Sequence, residues 1–224
     1  MTEITDHLAD IVERVARACA RAQRPRESVT IVAISKRQST ASIAIAHGAG
    51  LTHFGESYVQ EALGKMEALH NLPLTWHFVG RLQANKTRAV AERFDWVHTV
   101  DRLKTAERLS EQRPQHAAPL NVLLQVNQGR EPGKSGAAES DVPELARAVQ
   151  ALPRLRLRGL MTIPPQGPET AKWFEALAAL QARLVLEGLD LDTLSMGMSS
   201  DFESAIEAGA TFVRIGTRIF GSRA

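Results

Sequence analysis

One amine in this chain is placed for covalent chemistry. Val29-Thr-Ile-Val-Ala-Ile34 is an apolar run rich in β-branched residues, and Ser35 and Lys36 follow it directly. A lysine at the open end of a strand is partly desolvated, which favours its neutral form. That form attacks carbonyls to make Schiff bases. Two later segments could hold what such an amine captures. Ser195-Met-Gly-Met-Ser-Ser-Asp201 and Arg214-Ile-Gly-Thr217 each close an apolar run with small and hydroxyl residues. Hydroxyls at Ser199 and Thr217, with backbone N–H groups freed by Gly216, suit a phosphate dianion. Helix capping by Ser199 or Ser200 accounts for the first segment equally well, and a helix start serves both purposes. Arg214 lies within Thr211-Phe-Val-Arg214, an otherwise apolar run. A buried arginine stays charged and needs a partner. That partner is either a carboxylate inside the fold or a ring nitrogen of a bound cofactor.

Together these features suit pyridoxal 5′-phosphate (PLP). Its aldehyde would bond Lys36, its phosphate would fill the cup, and its pyridine nitrogen would face Arg214. A permanent cation there keeps the nitrogen unprotonated and makes the ring a weaker electron sink. A Schiff-base aldolase acting on a sugar phosphate would use the same lysine and cup without a cofactor. Visible absorbance separates the two.

These residues need a frame that gathers them. Strand candidates fall at 29–34, 51–54, 74–79, 96–100, 121–126, 157–163, 193–198 and 211–215, with helical stretches at 39–48, 57–70, 84–93, 103–112, 139–151, 169–187 and 200–208. A further helix precedes them, with Leu8, Ile11, Val12, Val15, Cys19 and Ala22 at helical spacing and Thr5 or Asp6 as its cap. Eight strands alternating with helices predict an α/β fold, a (β/α)8 TIM-type barrel with an extra N-terminal helix. A doubly wound open sheet is the alternative. We read residues 1–224 as one domain. Functional groups of such barrels sit at the C-terminal strand ends. That is where Lys36, Gly55 to Tyr58, Gly80, Arg81, Asp101, Asn127, Ser199 and Thr217 fall.

The chain has 224 residues, 44% hydrophobic and 23% charged, as in an ordinary globular protein. Its net charge of +2 gives no general affinity for nucleic acid. The single cysteine, Cys19, excludes an intrachain disulfide and reads as a small core residue. No Cys/His cluster suggests a metal site. The N-terminus lacks a signal-peptide pattern and no apolar run is long enough for a membrane, so a cytoplasmic protein is expected. Gly129-Arg-Glu-Pro-Gly-Lys-Ser135 has three residues between its glycines, where a P-loop needs four.

The segments Val32-Ala-Ile-Ser-Lys36, Phe54-Gly-Glu-Ser-Tyr-Val-Gln-Glu61, Trp76-His-Phe-Val-Gly-Arg-Leu-Gln-Ala-Asn-Lys86, Gly133-Lys-Ser-Gly136, Arg158-Gly-Leu-Met161, Ser195-Met-Gly-Met-Ser199 and Val213-Arg-Ile-Gly-Thr217 resemble the PLP homeostasis protein family. The resemblance runs in order over essentially the whole chain. It implies a barrel related to the alanine racemase N-terminal domain, carrying PLP without an established catalytic reaction. It puts the cofactor lysine at Lys36, the phosphate ligands at Ser199, Gly216 and Thr217, and the ring-nitrogen arginine at Arg214. Ser57 stands where the family usually has asparagine, so a polar contact near the cofactor differs. Gln38 stands where relatives often carry a second lysine. Lys134 matches a family lysine at the barrel mouth, as a secondary aldehyde acceptor, a phosphate contact or a solvated loop residue.

The rival within the same chemistry is a PLP-dependent amino-acid racemase. Two-base racemization needs a second acid/base on the opposite face of the substrate. In the related racemase a second domain supplies a tyrosine across a dimer. This sequence ends soon after the eighth strand candidate, which favours a monomer and a carrier. Its one tyrosine, Tyr58, begins a helix, where packing with an anchored hydroxyl is the plain expectation. His77 lies in a strand and reads as a satisfied core residue. Arg81, Lys86 and Arg88 could draw in an acidic partner or the cofactor's phosphate, or simply form a solvated helix face. The expected partners are PLP and apo PLP-dependent enzymes that receive it.

Overall fold

The computed structural model describes residues 3–131, 133–165 and 167–221. Its strands are β1 (Thr30–Ile34), β2 (His53–Glu56), β3 (Thr75–Phe78), β4 (Trp96–Val100), β5 (Leu120–Val126), β6 (Leu155–Thr162), β7 (Thr193–Ser195) and β8 (Phe212–Ile215). Its helices are α1 (Glu3–Arg21), α2 (Thr40–Gly48), α3 (Val59–Ala68), α4 (Thr87–Arg93), α5 (Leu103–Gln112), α6 (Val142–Gln150), α7 (Thr170–Leu186), α8 (Phe202–Glu207) and α9 (Thr217–Phe220). The eight strands pair in sequence order, all parallel, and β8 returns to β1 to close the barrel. The expected (β/α)8 barrel with an extra N-terminal helix is the fold, and the open sheet is excluded.

The core has two parts because each strand has two faces. The larger part lies between strands and helices and takes Ile31, Ala33, Phe54, Phe78, Val97, Val122, Leu124, Leu160, Val213 and Ile215 from the sheet. The smaller fills the bore with Val32, Trp96, Leu123, Met161 and Phe212. Burial on both sides explains why the strands read as continuous apolar runs rather than alternating ones. Helix α1 buries Leu8, Ile11, Val15, Ala18 and Cys19, one stripe at helical spacing. Arg14 and Arg21 then tie it to Glu203 and Glu207 of α8.

The differences from expectation are local. Thr5 and Asp6 lie inside α1, not at its cap. The third helix starts at Val59, not 57, because Ser57 packs its backbone against Gly80 and Tyr58 is extended. A Cβ on Gly80 would sit 2.3 Å from the Ser57 carbonyl oxygen. Strand β7 stops at Ser195 rather than 198. Gly197 turns the chain there with φ +88°, and a Cβ on it would strike Ala205 and Phe202. The last helical turn, α9, starts within the phosphate-cup motif itself, with Gly216 before it.

Candidate functional site

The mouth of the barrel gathers the sequence-predicted residues into one cavity of about 310 Å³. Lys36, Ser57, Ser199, Arg214, Gly216 and Thr217 all line it, with Ile34, Val79, Ile163 and Met198 as its apolar wall. Each polar residue arrives from a strand end. Lys36 follows β1 and is half-buried. Ser57 follows β2, Ser199 follows β7, and Gly216 and Thr217 follow β8. Neither Ser199 nor Ser200 caps α8. Asp201 precedes that helix and accepts a hydrogen bond from Met198 N. Arg218 holds the loop from the other side by donating to the Ser199 carbonyl. The capping account of Ser199 therefore falls, and its hydroxyl is left to face the cavity.

Behind Lys36 lies a buried ion pair that sequence reasoning missed. Ser35 is fully buried, and its hydroxyl donates to Glu56 Oε1 at 2.7 Å. Lys65, reaching in from α3, donates to the Ser35 carbonyl at 2.6 Å and to Glu56 Oε1 at 2.8 Å. It also pairs with Glu61. The backbone immediately before Lys36 is thus clamped by charged groups. Burial pushes the Glu56 carboxyl above the usual carboxylate range, against the pull of Lys65 and Ser35. Glu56 Oε2 has no hydrogen-bond partner among the described residues. The missing clue was distance: Lys65 meets Glu56 only because α3 folds back over β2.

Arg214 is buried, and no carboxylate lies within ion-pairing distance of it among the described residues. It donates instead to Ser195 Oγ and to the Thr162 carbonyl, both at 2.8 Å. Burial pushes its pKa down to about 10, with Asp201 opposing from farther off. The carboxylate partner offered by the sequence is therefore not what holds it.

From Ser195 a line of imidazoles runs down the bore. Ser195 Oγ meets His98 Nδ1 at 2.8 Å, His98 Nε2 meets His77 Nδ1 at 2.9 Å, and His77 Nε2 meets His53 Nδ1 at 2.9 Å. His77 stacks on Trp96 and His98 on Phe212. Burial, with neighbouring positive charge, holds His77 and His98 well below the ordinary imidazole range. The direction of the line follows from its top. Arg214 already donates to Ser195 Oγ, so the hydroxyl proton has an acceptor only at His98 Nδ1. Each histidine is then neutral with its proton on Nε2 and donates to the next. His77 is thus the satisfied core histidine expected. His98 went unnoticed because β4 offers one histidine with no partner in its own segment, and Ser195, already in the cup motif, meets it only across the bore.

Other residues fall elsewhere. Tyr58 is 48% exposed, with the Arg37 guanidinium 5.9 Å from its ring centre and no hydrogen bond on its hydroxyl among the described residues, so it is not an anchored packing residue. Lys134 pairs with Glu131 at the mouth of a neighbouring cavity. Arg88 is solvent-exposed beside Glu92, as a helix face should be. Among the described residues no group of His, Cys, Asp or Glu could hold a metal ion, and no helix is long and apolar enough to cross a membrane.

Comparison with known proteins shows the family and the fold. The profile of the alanine racemase N-terminal domain matches residues 7–224. The pyridoxal phosphate homeostasis protein of Pseudomonas aeruginosa is 54% identical over 223 residues, covering 100% of this chain and 97% of that protein. The protein of the same name from Escherichia coli K12 is 48% identical over 231 residues, covering 100% and 98%. The solved structure of PipY from Synechococcus elongatus with PLP bound is 39% identical, with a TM-score of 0.85 over 97% of this chain and 100% of that one. The fold and site therefore define a barrel of the alanine racemase N-terminal class. Within that class, the chain belongs to the pyridoxal phosphate homeostasis protein family.

Proposed function

We propose that this protein binds PLP as a Schiff base on Lys36 and acts as a reversible carrier in vitamin B6 homeostasis. The observation that carries the proposal is the single cavity that joins an amine and a buried arginine, neither paired with a carboxylate among the described residues, to a hydroxyl-lined cup. PLP supplies an aldehyde for amines and, once bound, an electron sink. The residues present fit it. Thr217 and Ser199 offer hydroxyls, and the Gly216 segment offers backbone donors, to a phosphate dianion. Arg214 has N–H groups left for an acceptor nitrogen after bonding Ser195 and Thr162. Ser57 stands beside Lys36 as a small polar wall. A relative solved with PLP bound and relatives named for PLP homeostasis support the same reading.

Carriage rather than turnover is supported by the placement of the two candidate second bases. Tyr58 lines the adjoining cleft, and both ring nitrogens of His77 are engaged by other histidines. We take the protein to act in the cytoplasm, as a monomer, with apo PLP-dependent enzymes as recipients and no role for nucleic acid, membrane or metal. The absorbance of purified protein titrated with PLP, before and after borohydride reduction and peptide mapping, tests this. The expected result is a visible band that borohydride bleaches while fixing a pyridoxyl group on the peptide holding Lys36, with both band and label absent in Lys36→Ala. A colourless protein that takes up no PLP would overturn the proposal, and a label on another lysine would overturn the assignment.

A further inference from the structure

The barrel mouth holds a second cavity, larger than the one described above. This cleft of about 530 Å³ adjoins the first, sharing Lys36, Ser57 and Val79 as a common wall. Its other lining residues include Arg81, Lys86, Gln60, Gln83 and Tyr58, and no aspartate or glutamate is among them. Many cations elsewhere on this protein are engaged differently, either on carboxylates or, like Arg24, Arg113 and Arg154, on backbone carbonyls. Arg14, Arg17, Arg21, Lys65, Arg147 and Arg158 all sit on carboxylates. The side chains of Lys36, Arg81 and Lys86 make no ion pair and no hydrogen bond among the described residues. Three cations drawn to one concave surface without an acid repel one another, and a bound anion relieves that repulsion. The amides of Gln60 and Gln83 and the Tyr58 hydroxyl add uncharged donors that an oxyanion accepts from.

We propose that this cleft is an oxyanion site in its own right, taking the phosphate or carboxylate group of a small molecule while the cofactor cavity does separate work. Because Lys36 lies in the shared wall, an anion in the cleft pairs with its ammonium form. The ammonium form is not the nucleophile. Anion binding and aldehyde capture are therefore antagonistic, and the coupling is reciprocal. This consequence rests on the proposed role of Lys36, whereas the site itself does not.

The test uses the full chain, ¹⁵N-labelled, loaded with PLP so that the cup is filled, and titrated with inorganic phosphate or with succinate. Backbone amides of Gly80 and Gln60 report the cleft. Saturable shifts at both are expected, weakened on the order of tenfold, or 1.4 kcal/mol, in the double variant Arg81→Gln/Lys86→Gln. Response to both anions assigns a general oxyanion site, and response to phosphate alone assigns a phosphate site. Non-saturating shifts, or shifts unchanged in a double variant whose melting temperature matches wild type, overturn the proposal. PLP uptake is followed by absorbance on unloaded samples of both proteins. Anions should slow uptake more in wild type than in the double variant. Equal slowing of uptake in the two proteins, with the Gly80 response intact, would sink the coupling through Lys36 and leave the cleft standing.

Discussion

Beneath the end of β1, Glu56 and Lys65 meet as opposite charges, whereas across the bore Arg214 bonds a hydroxyl and a carbonyl and pairs with no carboxylate among the described residues. Both systems answer the same problem, a polar residue needed near the cavity inside an apolar barrel. The first answers it with a second charge and fixes a backbone, since Lys65 also grips the Ser35 carbonyl. The second answers it with a directed line of donors from Arg214 through Ser195 and three histidines. Lys65 is engaged by Ser35, Glu56 and Glu61, so this pair keeps no N–H for a ligand. An arginine bonded only by a hydroxyl and a carbonyl keeps its charge and some of its N–H groups. The difference teaches which side of the cavity is scaffold and which is poised to bind.

The comparison breaks first at Lys65. Lys65→Met leaves the Glu56 carboxylate buried without compensation, which costs about 3–5 kcal/mol. Denaturant unfolding should show that loss, and adding Glu56→Leu should recover most of it, because replacing both charges removes the stranded one. A single variant within about 1 kcal/mol of wild type would mean the pair does not clamp β1.

Much of this was legible in the sequence, for a physical reason. Strands buried on both faces must be apolar throughout, so Val29 to Ile34 and Val97 to Val100 announced themselves. Residues at strand ends inherit the barrel mouth by topology, so Lys36, Ser57, Ser199, Gly216 and Thr217 could be gathered in advance. What strand order does not supply is side-chain contact between distant elements. Lys65 reads as one lysine among surface charges of α3, and only its 7% exposed side chain reveals its role. The imidazole line joins β2, β3, β4 and β7, and no spacing within one segment encodes it. The 530 Å³ cleft likewise joins Arg81 and Lys86 to Lys36 from separate segments, without Arg88 in its lining.

The second test concerns the neutrality of the line. His77 and His98 have folded pKa values held below the ordinary 6.5, while the unfolded chain titrates near that value. Between the two, the unfolded state binds more protons. The stability they contribute is therefore fully present above about pH 6.5 and is lost as the pH falls below it, at up to about 1.4 kcal/mol per pH unit for each. Glu56, with its raised folded pKa, works in the opposite sense, adding stability below the unfolded value and losing it as the pH rises through the folded one. Unfolding measured from pH 7.5 to pH 5.5 should show the histidine slope, flattened in His77→Gln/His98→Gln. A wild-type profile as flat as that of the double variant would mean that the line already carries a proton.

The smallest effect is the most discriminating. Arg214→Met removes a buried cation that has no carboxylate partner among the described residues. Ser195 loses its donor and the Thr162 carbonyl loses another, each worth about 1 kcal/mol net in ordinary cases. Against that stands relief of the guanidinium's desolvation, the same burial that brings its pKa down to about 10. The two are of similar size, so stability should stay within about 1 kcal/mol of wild type, far from the loss at Lys65. PLP retention should fall in the same variant, since the group facing the ring nitrogen is gone. Loss of both together, with several kcal/mol of destabilisation, would make Arg214 a structural member of the bore. Loss of retention alone is what a residue held by neutral neighbours, and kept charged for a ligand, predicts.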